Sequence, residues 1–237
     1  MAKILDKDRF IDIIKNGAKI NIIGDSIAAG KGSSQSYSSD KVIFEDDIKK
    51  FYRIIAPNSW GTLFENYIGE KFHGCSVINN GGCGASSCQI YNNIRNLINE
   101  NDDIVFLMFG ANDRKNQNGM NDLYENSVRI INFLREKNKS MILFSPIPST
   151  IENEGRPNRL YHMDDVTAVL KNVAEKENIL LVDNYSFILE YLHINNLSIE
   201  EIMFEEGCEN DGLHPSDFVQ KLMFENLKRV LNIWFSP

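Results

Sequence analysis

The sequence predicts an α/β protein built on a parallel sheet with helices on both faces, and three observations lead there. Short apolar runs rich in Ile, Val, Leu and Phe recur along the chain, and longer stretches with apolar residues at helical spacing separate them. Polar, glycine-containing segments stand where several of those runs end. Runs this short that are apolar on both faces suit strands buried in a parallel sheet, and their alternation with amphipathic helices places the sheet between helical layers.

Residues 1–16 carry Lys3, Asp6, Lys7, Asp8, Arg9, Asp12 and Lys15 among apolar neighbours, which predicts an amphipathic helix and not the apolar core of a signal peptide. The first strand is expected over residues 19–23, running into Gly24-Asp25-Ser26. Residues 31–57 form the least regular region; they read as a surface loop carrying a short helix, with a lid or substrate-contacting insertion as the alternative. Asn58 or Ser59 is placed to cap a helix whose apolar side is Trp60, Leu63, Phe64, Tyr67 and Ile68.

Further strands are expected at 75–79, 103–109, 140–144 and 178–182. Helices between them follow from Ile90, Ile94, Leu97 and Ile98, from Leu123, Val128, Ile131 and Leu134, and from Val166, Val169, Leu170 and Val173. Irregular residues 146–159 are expected to join the rim formed after the first strand. A closing helix follows Pro215, with Phe218, Leu222, Phe224, Leu227 and Val230 or Leu231 on its apolar side, and Phe224, Trp234 and Phe235 are expected to pack the C-terminus onto the sheet, with an interface as the alternative.

At 237 residues with 43% hydrophobic content, one domain over 1–237 is the expectation. The excess of 33 acidic over 25 basic residues gives a net charge of -8, which argues against a nucleic-acid partner because phosphate binding needs a basic surface. Apolar runs such as 104–109 are too short to span a bilayer, so a soluble, cytoplasmic protein without integral membrane association is expected. Cys75, Cys83, Cys88 and Cys208 then read as reduced thiols. No Cys-x-x-Cys pair occurs and His73 and His193 lack metal-ligand spacing, so neither a metal nor a cofactor is expected.

Ligands of open parallel sheets bind beyond the carboxyl ends of the strands. Three polar signatures fall at such ends, Gly24-Asp25-Ser26, residues 79–84 and Gly110-Ala111-Asn112-Asp113, and the loop carrying Asp211 and His214 can reach the same edge. A serine hydroxyl needs a base to become a nucleophile at neutral pH, and histidine suits that task. Of the four histidines, His73 and His162 lie in or beside helices and His193 ends an apolar helical stretch, whereas His214 follows Gly212, precedes Pro215 and has Asp211 three residues before it. A carboxylate there can hold the imidazole tautomer that leaves the other nitrogen free toward Ser26. Gly81-Gly82-Cys83-Gly84 and the Asn112 side chain offer N–H donors for an oxyanion. Taken singly, each has a plainer reading: a helix cap through Ser216 or Asp217, a glycine turn, a loop cap.

In order along the chain, these segments resemble the blocks of the SGNH (GDSL-type) hydrolase family. Gly24-Asp25-Ser26-Ile27-Ala28-Ala29-Gly30 resembles the first block, with Ile in place of the usual Leu; residues 79–84 resemble the second, Gly110-Ala111-Asn112-Asp113 the third, and Asp211-Gly212-Leu213-His214-Pro215 the fourth. Each motif is short, but four in order over residues 24–215 make a specific match. Ala28 stands where many members carry Ser or Thr, and Gly-Gly-Cys before Gly84 departs from the commonest second block.

The resemblance implies a three-layer α/β/α, flavodoxin-like fold with Ser26 as nucleophile, His214 as base and then acid, and Asp211 as its orienting partner. It also implies an oxyanion hole from the Ser26 amide, the Gly84 amide and the Asn112 side chain. Asp25 and Asp113 are read as structural. The expected activity is hydrolysis of a small-molecule ester through an acyl-enzyme, with a small acetyl-like acyl group on a carbohydrate alcohol. Longer-chain lysophospholipase or thioesterase action, acyl transfer by the same triad, and a non-catalytic binding module are the alternatives.

Overall fold

In the computed structural model, which describes residues 6–233, five strands pair in parallel in the order β4-β1-β5-β6-β7. They are β1 (Lys19–Gly24), β4 (Ser76–Gly81), β5 (Ile104–Met108), β6 (Ser140–Phe144) and β7 (Leu180–Val182). Side chains alternate across each strand, so successive residues enter different cores. Ile20 and Ile22 of β1, Phe106 of β5 and Phe144 of β6 face one cluster, while Ile23, Leu107 and Leu143 face the other.

The first cluster is covered by α1 (Lys7–Lys15), α2 (Trp60–Lys71), α7 (Asn184–Asn195), α8 (Ile199–Met203) and α9 (Asp217–Leu231). The second is covered by α3 (Ser87–Leu97), α4 (Gly119–Glu136) and α6 (Met163–Glu177). Three layers result, with the sheet in the middle, as in the fold implied by the motifs.

Local signals set the helix starts. Ser59 accepts from the Thr62 amide, Ser86 forms a reciprocal box with Gln89, and Ser216 accepts from the Val219 amide, so each start satisfies an otherwise orphaned donor. Ser216 is thus the cap that the sequence left open, and Asp217 instead accepts from the Ser34 amide and hydroxyl. The first predicted helix is α1; residues 1–5 lie outside the described residues, as do Trp234 and Phe235. Phe224 packs edge-on against Tyr67 with ring centroids 5.7 Å apart.

Residues 31–57 are not a loop with a short helix. They form an antiparallel hairpin, β2 (Tyr37–Glu45) and β3 (Lys50–Ile55). Asp46 closes it by accepting from the Ile48 and Lys49 amides, each at 2.9 Å. Phe44 and Phe51 stack at 4.1 Å and press onto Gly82, where an added β-carbon would meet the Phe44 ring at 2.8 Å. Two buried aromatic rings anchor the hairpin over the loop that follows β4. A short helix does occur in the later irregular stretch, α5 (Ile151–Glu154).

Beneath the first-cluster helices, Phe106 meets Phe64 at 5.3 Å and Phe144 at 5.2 Å, and Trp60 stands 5.2 Å from Phe144. The Trp60 indole donates to the Ile27 carbonyl at 3.2 Å, joining this cluster to the turn beside Ser26. Phe106→Ala is expected to destabilise the fold by about 3–5 kcal/mol in urea unfolding, the cost of emptying a packed aromatic site. Phe218→Ala, at a side chain left partly exposed, is expected to cost well under half of that. Equal losses would show that the cluster under β5 carries no special share of stability.

Candidate active site

Parallel register puts the ends of three strands side by side: Gly24 lies opposite Gly81 of β4 and Met108 of β5. Position 24 accepts only glycine, because a β-carbon there would sit 1.8 Å from the Met108 carbonyl oxygen. The Gly82 amide donates to Gly24 O at 2.8 Å and the Asp25 amide to Met108 O at 3.0 Å, so both neighbouring strand ends are tied to the segment entering Ser26.

Asp25 is fully buried and uses both carboxylate oxygens on backbone amides, Oδ1 accepting from Ile27 at 2.9 Å and Oδ2 from Ala111 at 3.3 Å. Burial pushes its carboxyl up to about 6, against the lowering effect of those amides. Asp113 does the same one turn away, accepting from the Ser87 hydroxyl at 2.6 Å and the Ser87 amide; burial also raises it to about 6. Both acids hold loops, in agreement with their structural reading.

Ser26, His214 and Asp211 come together across 188 positions of sequence. The Ser26 hydroxyl oxygen is 2.8 Å from His214 Nε2, and His214 Nδ1 is 2.7 Å from Asp211 Oδ2. Asp211 Oδ1 accepts from the Leu213 and His214 amides at 2.9 and 2.8 Å, fixing the carboxylate on its own turn. Partial burial pushes the Asp211 carboxyl upward, but the bond from the His214 ring, its charge and the two amides outweigh burial and hold it well below the usual carboxylate range. Asp211 therefore stays ionised against the imidazole at any pH where a serine centre works.

The later rim braces that turn from outside. Gly212, at φ 74, passes so close to Thr150 that a β-carbon would meet its hydroxyl at 2.2 Å, and Gly212 O accepts from the Thr150 amide at 2.9 Å. Asp211 O accepts from Asn153 and Arg156 side chains at 3.4 and 3.3 Å. Buried Arg114 locks the rim by donating to both oxygens of Glu154 at 3.0 Å. Thr150, Asn153 and Arg156 of the irregular residues 146–159 thus touch the turn that carries Asp211.

Gly84 adopts φ 78, and the Asn112 side chain donates to Ala85 O at 3.1 Å, so these two meet at one loop. One Asn112 N–H is spent there and the other remains. Lys115 donates to Asn112 Oδ1 at 2.9 Å, and Lys49 donates to the Cys83 and Gly84 carbonyls at 3.3 Å each. Among the described residues, the Ser26 and Gly84 amides donate to no protein acceptor. Sequence reasoning missed both lysines, which reach the site only through the hairpin and the turn after Asn112.

Two cavities are lined by residues next to the centre and by none of Ser26, Asp211 and His214. One of about 470 Å³ is lined by Lys31, Ser33, Gln35, Ser36, Tyr37, Ser38, Ile54 and Glu209 among others. Another of about 620 Å³ opens on the Gly84 and Asn112 side, with Asp46, Ser86, Gln89, Asn92 and Lys115 in its wall. The four cysteines are unpaired, and burial pushes the Cys83 thiol up to about 11, far from a reactive thiolate. No helix among the described residues is long and apolar enough to cross a membrane.

A parallel α/β fold with a serine after its first strand bonded in series to a histidine and an aspartate of the loop before its last helix defines the class of serine acyl hydrolases. Residues 22–222 match the GDSL-like lipase/acylhydrolase family, and the chain belongs to that family as a carboxylic ester hydrolase. Its fold is similar to a lipase/acylhydrolase from Enterococcus faecalis, with 20% identity, TM-score 0.64 and coverage of 90% of this chain and 94% of that one. It is also similar to an acetyl xylan esterase variant from Geobacillus stearothermophilus, at 19% identity, TM-score 0.67 and coverage of 93% and 98%. An alpha/beta hydrolase from the metagenome of Lake Arreo, Spain, aligns at 20% identity and TM-score 0.69 over 93% and 97% of the chains. Comparison with curated protein sequences gives no significant match.

The buried acids give a pH test. Asp25 and Asp113 rise from 3.8 to about 6 on folding, so the native chain holds protons that the unfolded chain releases. Their contribution to stability is complete below the unfolded value and is lost as pH rises through the folded one. Asp25→Asn carries no charge to bury, so its stability relative to wild type is expected to improve between about pH 4 and about pH 7.5 in urea melts. A difference that is constant over that range contradicts the assignment.

Proposed function

We propose that the chain hydrolyses small acyl esters, acetate-like in size, through an acyl-enzyme formed on Ser26. The observation that carries this reading is the unbroken series of contacts from Ser26 through His214 to Asp211 at 2.8 and 2.7 Å, set beside Gly84 and Asn112. Ser26 Oγ attacks the acyl carbon while its proton passes to His214 Nε2. Asp211 holds the ring in the tautomer that leaves Nε2 as acceptor and stabilises the imidazolium that forms.

The carbonyl oxygen becomes an oxyanion and is met by the Ser26 amide, the Gly84 amide and the remaining Asn112 N–H. Lys115, bonded to the Asn112 carbonyl oxygen, polarises that amide and strengthens it as a donor. As the tetrahedral adduct collapses, the alcohol departs with the proton from His214. Water then gives its proton to Nε2 and attacks the acyl carbon, releasing the acid and restoring the Ser26 hydroxyl.

The alcohol is proposed to be rich in hydroxyl groups, as in a carbohydrate. Support comes from the cavity between Lys31 and the hairpin, whose serines, Gln35 and Lys31 supply donors and acceptors, with the exposed Tyr37 ring as a flat apolar surface. The hairpin that replaces the expected loop contributes Tyr37, Ser38 and Ile54 to that wall, which supports its reading as a substrate-contacting insertion. With 33 acids against 25 bases, polyanions such as nucleic acid are poor candidates.

Ser26→Ala is expected to abolish turnover of p-nitrophenyl acetate without unfolding the chain. Asn112→Ala is expected to lower kcat by roughly 10²–10³ through loss of one oxyanion donor. Full activity in purified Ser26→Ala would overturn the mechanism. Across p-nitrophenyl esters of increasing chain length, kcat/KM is expected to peak at acetate; a peak at octanoate would replace the small acyl group with a long one.

A further inference from the structure

His214 faces a second acid that the triad does not use. Glu209 Oε2 lies 3.5 Å from Nδ1, the nitrogen that Asp211 Oδ2 holds at 2.7 Å. One ligand atom from each of Glu209, Asp211 and His214 falls within 4.8 Å of the others. The position of Glu209 is built from several sides. Its amide donates to Gly32 O at 3.1 Å, and its Oε1 pairs with Lys31 Nζ at 3.0 Å. Gly32, at φ 99, lies so near the histidine that an added β-carbon would stand 2.6 Å from His214 Cβ. Asn210 takes the left-handed conformation at φ 54, and its Oδ1 accepts from the Glu205 amide at 2.9 Å. That turn brings residues 209 and 211 to the same edge of one ring.

We infer that Glu209 is a positioning residue for His214, an auxiliary carboxylate that faces Nδ1 and accepts its N–H when Asp211 is lost. This rests on the proposed Ser26–His214 centre. A carboxylate at Nδ1 keeps the proton on that nitrogen and leaves Nε2 as acceptor toward Ser26. At 3.5 Å Glu209 makes no strong hydrogen bond, yet it adds negative charge where imidazolium develops. Lys31 holds the other oxygen, so Asp211 keeps the shorter contact in the native chain. A sequence signal exists in retrospect, an acid two residues before the Asp-x-x-His block, but only the left-handed Asn210 turns it toward the ring.

The test is a double-mutant cycle read as kcat and KM on p-nitrophenyl acetate. Glu209→Gln alone is expected to lower kcat by less than about threefold with KM unchanged, because Asp211 still holds the ring. In an Asp211→Asn background, the same change is expected to lower kcat by a further tenfold or more, roughly, since the last carboxylate at Nδ1 is then gone. Asn at 211 can still accept from the Leu213 and His214 amides, so the turn is retained; Asp211→Ala serves as a second background without an amide facing Nδ1. A purely structural role predicts the same factor in every background and a change in KM, and that result would overturn the inference. His214→Ala separates the two failures: activity surviving in it sinks the Ser26–His214 centre itself, whereas an inactive His214→Ala with an additive cycle sinks only the role of Glu209.

Discussion

A β-carbon at position 24 would lie 1.8 Å from the Met108 carbonyl oxygen, and the whole catalytic edge depends on that close approach of β1 to β5. Only at this distance does the Asp25 amide reach Met108 O, and only then does the Asp25 carboxylate lie over the Ala111 amide. Asn112 follows Ala111 and donates to Ala85, while Gly82 donates back to Gly24. The strand ends are thereby closed into a ring of hydrogen bonds. Ser26, Gly84 and Asn112 are held by that ring, which is the preorganisation that the proposed oxyanion site requires.

Three aspartates in this small region show how environment divides labour among identical side chains. Asp25 and Asp113, buried among backbone amides and a serine, are pushed up to about 6 and act as loop fasteners. Asp211 is partly buried too, but its bond to the His214 ring and two amides reverses the sign and keeps it ionised. Identical side chains are thus pushed in opposite directions by what surrounds them. Of the three, only Asp211 is held below the usual carboxylate range, and it is the one bonded to the histidine ring.

Much of this arrangement is legible in the sequence because it follows from local chemistry repeated at regular intervals. Ile20, Ile22, Phe106 and Phe144 announce buried strands, and Ser59 and Ser216 announce helix starts. The four motifs place Ser26, Gly84, Asn112, Asp211 and His214 because parallel strands deliver their ends to one edge. The hairpin is not legible in the same way: of β2, only Phe44 is buried, so the run of Ser38, Ser39, Asp40 and Lys41 shows no apolar alternation. Its pairing is set by tertiary contact with Gly82 and Phe51. Glu209 is hidden for another reason, since its direction depends on the left-handed backbone of Asn210, which residue type permits but does not impose. Lys49 and Lys115 likewise approach Gly84 and Asn112 through turns whose course is decided in three dimensions.

Everything proposed for the chemistry stands on activation of Ser26 by His214, which covalent labelling with a fluorophosphonate followed by peptide mass mapping reads directly. One adduct per chain is expected, on Ser26, and it disappears in His214→Ala although the protein remains folded. An adduct on another residue, or labelling of Ser26 that proceeds at the same rate without His214, would contradict it.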